Sequence, residues 1–385
     1  MRILFTSTAG AGHLGPLLPF ATALRSAGHE ILVAAPISAQ ARVERAGLPF
    51  MSHADPPASE LGPLWARVRA AGAEQANELV VGEVFAGVRA RAALPGVELA
   101  IDAWRPDVVV RETCEFAGAV AAEARGVPHA RVGIGLAATE ALALGWAAAG
   151  VDELRRWAGL APDAGRERLA AAPYLTLTPP SLEAGPAPWP ALRYHAAPAP
   201  LRLVRSSTTA PLVYVSFGSV APTMGFFPGL YGAVVDALAD LPIRMLVTVG
   251  EAADPAELGP LPGNVRVERW VPQAEVFTEA EAMVGHGGFG TTHGALLAAV
   301  PQLVLPLFAD QPYNAQRVAE LGAGLTADWQ DAAAVRAAVV RLLEEPSFRV
   351  AAGGVALEAQ TLPPIAAAAE ALEALVAGAR ERRAA

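Results

Sequence analysis

Three stretches of the chain place residues capable of chemistry where a strand gives way to a helix. The first is Gly10-Ala11-Gly12-His13-Leu14-Gly15. It satisfies G-x-G-x-x-G directly after an apolar run at 2–6 and before a helical pattern, the context of a dinucleotide loop. The acid that would hold a ribose at the end of the second strand is missing, because that strand closes Ala34-Ala35-Pro36 and Glu30 precedes it. His13 in this turn has the chemistry of a general base near neutral pH. A carboxylate on its other ring nitrogen would orient it. The strand 107–111 should end on the same sheet edge, with Glu112 just past it and Glu115 one turn further, and either can fill that role.

The other two stretches lie in the C-terminal half. Val213 to Ser219 is a strand entering a small-residue turn whose N–H groups and Ser219 hydroxyl can meet an anion. Gly285-His286-Gly287-Gly288-Phe289-Gly290-Thr291-Thr292 is a glycine loop opening a helix. Such a loop offers unsatisfied N–H groups and the positive end of the helix dipole, a seat for pyrophosphate, with His286 and Thr291 as side-chain donors. Trp270-Val271-Pro272-Gln273 stands shortly before it and carries a ring able to stack a nucleobase. Asp310 and Gln311 follow a later strand and can fix sugar hydroxyls.

Two repeated α/β series must position these groups. Strand 2–6, a helix begun by Pro16 and ended by Gly28, and strand 31–34 form a βαβ unit. Strand 107–111, a helix at 116–124 and strand 129–134 extend it, and residues 58–103 read as a helical insertion. Residues 179–211 hold eight prolines and read as an interdomain linker. Beyond it, strands at 212–217, 244–249, 265–268, 282–285 and 302–306 alternate with helices, the last at about 365–382. The expected fold is α/β with two doubly wound parallel sheets, and a cleft between them is the default ligand site.

The 385 residues suit two or three domains. Apolar residues make up 53%, enough for a sizeable core, and the formal net charge of -9 argues against nucleic acid or an anionic membrane as the main partner. One cysteine, Cys114, excludes an internal disulfide and a cysteine-rich zinc site. No lysine occurs, which excludes a P-loop lysine and a Schiff-base lysine. The stretch 133–151 comes nearest to a membrane span but is broken by Glu140. The expectation is a cytoplasmic protein, with no targeting signal read into the short apolar run at 2–6.

Taken together, the run from Trp270 to Gln311, WVPQAEVFTEAEAMVGHGGFGTTHGALLAAVPQLVLPLFADQ, resembles the nucleotide-sugar signature of glycosyltransferase family 1, the inverting GT-B enzymes. The chain is most similar to the bacterial natural-product members of macrolide and enediyne type, and the resemblance extends over its whole length. It implies a GT-B fold: an acceptor domain at 1–200, a donor domain at 212–362 and a C-terminal helix at 363–385 crossing back to the first domain. It implies that Trp270 stacks the donor base with Val271 and Gln273 beside it. His286, Gly288, Gly290, Thr291 and Ser219 would hold the pyrophosphate, and Asp310 and Gln311 the sugar. His13 would deprotonate the acceptor, and Glu112 stands where family members usually have aspartate. Many UDP-sugar members carry glutamate where this chain has Gly294, so a dTDP-sugar is favoured over a UDP-sugar.

The implied acceptor is an apolar natural product, a polyketide, flavonoid or similar scaffold, met by Trp65, Phe85, Phe116 and Trp146. Neither a metal nor a cofactor beyond the nucleotide sugar is expected, since no D-x-D motif occurs. A monomer or a homodimer fits equally. Alternatives are C-glycosylation of a phenolic ring, a NAD- or FAD-dependent oxidoreductase, a nucleotide-sugar epimerase, and a nucleotide-sugar-binding protein without catalysis.

Overall fold

The computed structural model of the protein describes residues 1–163, 167–196 and 210–384. The chain divides into two compact units: Met1–Leu177 with Gly185–Ala197 and Leu362–Ala385, and Thr178–Ala184 with Pro198–Thr361.

The first unit is built on a seven-stranded sheet in the order β3-β2-β1-β4-β5-β6-β7. Its strands are β1 (Arg2–Thr6), β2 (Glu30–Pro36), β3 (Phe50–His53), β4 (Val108–Glu112), β5 (His129–Val132), β6 (Tyr174–Thr176) and β7 (Ala191–Arg193). All the pairings are parallel, with Ile3 opposite both Ile31 and Val108. Helices cover both faces of such a sheet, so its strands read as unbroken apolar runs.

Helix α1 (Ala11–Ser26) starts five residues before the proline expected to begin it. Gly10, extended at φ −68° and ψ 143°, is its N-cap, and Gly12, His13 and Gly15 are helical. The G-x-G-x-x-G motif is therefore wound into the first turns of a helix, and His13 sits on that helix rather than in a glycine turn. Burial of Leu14, Leu17, Phe20, Ala21 and Leu24 on one stripe outweighs the N–H groups lost at Pro16 and Pro19.

Part of the expected linker belongs to this sheet. Ala191–Arg193 pairs with Tyr174–Thr176 as the outermost strand, where neighbouring prolines do no harm because one side needs no ladder bonds. Pro180–Leu182 is a single tight turn in the second unit. Residues 197–209 of the linker lie outside the described residues. The last helix, Ala368–Ala384, belongs to the first unit. Its Ala368, Leu372 and Val376 share a buried cluster with Leu14, Leu17 and Phe20 of α1.

The second unit carries a six-stranded parallel sheet in the order β10-β9-β8-β11-β12-β13. These are β8 (Leu212–Ser216), β9 (Arg244–Thr248), β10 (Val265–Glu268), β11 (Ala282–Gly285), β12 (Gln302–Val304) and β13 (Gly324–Thr326). Helix α2 (Phe289–Leu297) follows β11, and helix α3 (Gln311–Glu320) follows β12. No described helix is long and apolar enough to cross a membrane.

Candidate active site

In the first unit, β1 and β4 are neighbours, so the chain leaving each arrives at one edge of the sheet. His13, in the first turn of α1, faces Glu112, the last residue of β4, with Nδ1 and Oε1 3.0 Å apart. The His13 side chain is 20% exposed and that of Glu112 fully buried. Thr8 Oγ1 donates to the same carboxylate oxygen at 3.1 Å, and the Cys114 N–H donates to the other at 2.6 Å. Burial alone would raise the Glu112 pKa, but His13, the Cys114 N–H and Thr8 outweigh it and hold the carboxyl below its ordinary value. An ionised carboxylate only accepts, so Nδ1 carries the hydrogen of the neutral ring and Nε2 is left with the free lone pair.

The neighbouring carboxylate is engaged elsewhere. Glu115 accepts from Thr6 Oγ1 and the Gly118 N–H, and burial pushes its pKa up. The loop joining the two glutamates is clamped from below by Arg111, which is fully buried. Its Nη1 donates to the carbonyls of Glu112, Thr113 and Glu115 at 3.1, 2.8 and 3.2 Å. Thr6, Thr8 and Arg111 were not singled out in the sequence. The one signal was an arginine closing an otherwise apolar strand.

Beside this pair lies a small recess, lined by Thr8, His53, Phe85, Arg89, Cys114 and Phe116 among others. Phe85 comes from a π-helical segment, Leu79–Arg89, and its ring packs 4.8 Å from that of His13. Of the four aromatic residues expected around an acceptor, Phe85 and Phe116 line the recess. Trp65 and Trp146 do not, and Trp146 packs against the core.

In the second unit a polar chain runs along the ends of β8 and β9. Tyr214 and Thr248 hydroxyls are 3.0 Å apart, and Thr248 donates to Ser216 Oγ at 2.9 Å. Gln273 Nε2 donates to the Tyr214 hydroxyl at 3.2 Å, while its carbonyl accepts from Thr291 Oγ1 at 3.4 Å. This ties the residue expected beside the base to one expected at the pyrophosphate. Tyr214 and Thr248 carried no sequence signal beyond their place in buried strands.

The ring of His286 explains two glycines, Gly288 in the loop after β11 and Gly218 in the turn after β8. A Cβ at Gly218 would lie 2.8 Å from its Nε2, and one at Gly288 would overlap the same atom. Gly218 also has φ +73°, a conformation open to glycine. Burial lowers the His286 pKa to about 4, partly offset by a hydrogen bond to the Ser216 backbone, so the ring is neutral at pH 7. Gly288 caps α2, and Gly290 and Thr291 lie in its first turn. Ser219 is exposed in the turn after β8, and Trp270 is 57% exposed with Val271 half-buried behind it.

Family models and whole-chain relatives match this sequence, and solved structures share its architecture. The model of the erythromycin biosynthesis protein CIII-like family matches in two parts, its N-terminal domain over residues 22–222 and its C-terminal domain over residues 232–375. The chain belongs to this family of glycosyltransferases. L-demethylnoviosyl transferase of Streptomyces niveus is 32% identical over 398 residues, covering 97% of this chain and 98% of that protein. Elloramycin glycosyltransferase ElmGT of Streptomyces olivaceus is 33% identical over 382 residues, 94% of each. The spinosyn rhamnosyltransferase SpnG, solved with thymidine diphosphate and with spinosyn aglycone, superposes with TM-score 0.80 at 26% identity, over 97% of this chain and 100% of that chain.

The glycosyltransferase thus has the GT-B fold, and the oxidoreductase alternative gives way to the family membership. Its remaining expected site residues, Asp310 and Gln311, open helix α3. Gln311 is nearly buried, and its carbonyl oxygen accepts from the N–H groups of Leu307 and Phe308 at 2.8 and 3.0 Å. Asp310 accepts from Asn314 Nδ2 at 2.8 Å, and the same amide reaches the Gly287 carbonyl at 2.8 Å. Asn314, also missed in the sequence, thereby links this pair to the glycine loop.

Proposed function

We propose that this glycosyltransferase moves a sugar from a dTDP-sugar to a hydroxyl of an apolar natural-product acceptor, with inversion and without a metal. The carrying observation is the His13–Glu112 pair: a buried carboxylate with donors on both oxygens, holding one ring nitrogen and leaving the other as base. In the proposed step Nε2 takes the acceptor proton as the acceptor oxygen bonds to the anomeric carbon. The bond from that carbon to the diphosphate oxygen breaks, and the nucleoside diphosphate leaves with the electron pair. Ser219, His286, Gly288, Gly290, Thr291 and the N-terminal end of α2 would take up the growing phosphate charge, which makes a metal unnecessary in this reading. Trp270, Val271 and Gln273 would receive the base, and Asp310 and Gln311 the sugar.

Two observations favour dTDP over UDP. A Cβ at Gly294 would stand 3.1 Å from Phe277, so the wall there is closed to a ribose-binding carboxylate unless that ring shifts. The SpnG relative was solved with thymidine diphosphate. Thermal melting of the full chain with dTDP and with UDP tests this reading. At 100 times its dissociation constant a ligand adds about 2.7 kcal/mol. The expected result is stabilisation by dTDP at lower concentration than by UDP. Equal or reversed ranking overturns the dTDP preference, and no shift with either overturns the donor site.

A further inference from the structure

The polar chain at the ends of β8 and β9 is made of hydroxyls that each hold one hydrogen, so one bond sets the direction of the rest. Thr248 Oγ1 donates to Ser216 Oγ at 2.9 Å, which uses its only hydrogen. In the 3.0 Å contact between Thr248 and Tyr214 the tyrosine hydroxyl must therefore donate. The Tyr214 oxygen is left to accept, and Gln273 Nε2 donates to it at 3.2 Å. Gln273 Nε2 also points at Ser216 Oγ, 3.5 Å away. An amide turned the other way would set its carbonyl oxygen against the Tyr214 oxygen with no hydrogen between them. The Gln273 carbonyl oxygen accordingly faces Thr291 Oγ1, at 3.4 Å, and that long contact occupies one of its two lone pairs. Tyr214, Ser216 and Thr248 are buried, whereas Gln273 is half-buried and reaches the surface.

We propose that Tyr214, backed by Thr248, is a positioning residue for the donor nucleotide: it holds the Gln273 amide with its oxygen on offer, to accept from an N–H of the base or an O–H of the sugar. The proposal rests on reading Gln273 as a nucleotide contact and adds what fixes its polarity. Without the Tyr214 hydroxyl the amide is free to turn, and its hydrogens then compete with its oxygen for the place facing the ligand. A donor N–H of the nucleoside would meet a second donor, and a hydroxyl would lose a partner held in one orientation.

The test is a double-mutant cycle read by calorimetric titration of the full chain with dTDP. Tyr214→Phe is expected to weaken dTDP binding by roughly three- to tenfold, the worth of one neutral hydrogen bond. In Gln273→Met, which has no amide to orient, the same change should cost less than about twofold. Thr248→Val should repeat both results, although no hydrogen bond joins it to Gln273 among the described residues, because it removes the acceptor that directs the Tyr214 hydroxyl. It carries the test where Tyr214→Phe does not fold. An equal cost in both backgrounds would assign Tyr214 to packing and overturn the proposal, as would no cost in wild type. The two readings fail differently. A Gln273→Met variant that binds dTDP as tightly as wild type removes Gln273 from the nucleotide site, and the proposal with it. A weakened Gln273→Met beside an unaffected Tyr214→Phe overturns the positioning role alone. The diphosphate of 2′,3′-dideoxythymidine separates the two donors: the cost of Tyr214→Phe vanishes with this analogue for a sugar hydroxyl and persists for a base N–H.

Discussion

His13 Nδ1 and Glu112 Oε1 meet at 3.0 Å across 99 residues of sequence. The meeting follows from one sheet pairing, β1 beside β4, which brings the start of α1 and the end of β4 to the same edge. Replacing His13 by alanine should lower the transfer rate by about 10²–10⁴-fold. Glu112→Gln should lower it by a similar factor, because an amide can present its N–H to Nδ1 and favour the wrong tautomer. Dissociation constants for dTDP, measured in parallel, should stay within about twofold for both if each acts only on the acceptor.

Arg111 should be needed for stability as much as for chemistry. It fills a buried position and donates to three carbonyls of the loop that carries Glu112. Arg111→Met keeps the stem but leaves three carbonyls without that donor, a loss of about 3–5 kcal/mol for a broken buried charge network. Denaturant melting reads it directly, and a loss under about 1 kcal/mol would show that the clamp is dispensable.

Much of this arrangement was legible in the sequence, and the gaps have physical causes. Long apolar runs and the 3.6-residue stripe announced both sheets and most helices. Four strands escaped: β3, β6, β7 and β13, reading FMSH, YLT, ALR and GLT, lack the unbroken apolar run that marks equally short strands such as β12 with its flank. His13 and Glu112 were found because their residue types are chemical. Thr6, Thr8 and Arg111 were not, because their role depends on atoms brought in from other strands. Gly218 and Gly288 stand in two separate candidate anion seats of the sequence, and the structure adds a second cause for both, the His286 ring pressed against them.

Gly288→Ala should push a methyl group into that ring. Overpacking of this kind costs about 1–3 kcal/mol, and moving His286 should weaken dTDP binding several-fold. Melting with and without dTDP measures both, and an unchanged dTDP affinity would remove His286 from the donor site.

Trp270 offers the opposite profile. It is largely exposed, so Trp270→Ala should leave the melting temperature of the free protein nearly unchanged. If its ring stacks the base, dTDP affinity should fall by about 1–3 kcal/mol, the scale of base–aromatic stacking. Fluorescence or calorimetric titration decides.

Stability should fall in acid and level off above neutral pH. Burial lowers His286 from 6.5 to about 4, and burial with the nearby Arg111 and Arg131 lowers His129 from 6.5 to about 3. Below about pH 6.5 the unfolded chain binds protons that the folded chain refuses, so stability falls as the pH drops towards 4. Glu140 acts in the other direction. Burial raises it from 4.5 to about 7, so between those values the folded chain binds the extra proton and Glu140 opposes part of the histidine effect. Melts across pH 4 to 9 should show a falling acid limb and a plateau above about pH 7, with His129→Gln flattening the limb and Glu140→Gln steepening it.

The return of helix Ala368–Ala384 to the first unit sets an order on biosynthesis. A ribosome releases the sheet of the first unit early, yet the surface of α1 that receives Ala368, Leu372 and Val376 must wait until the whole second unit has been made. During that interval an apolar strip of α1 faces solvent or a chaperone. A nascent chain stalled before residue 362 would carry a finished second unit and an unsealed first one, and proteases would find it by that strip.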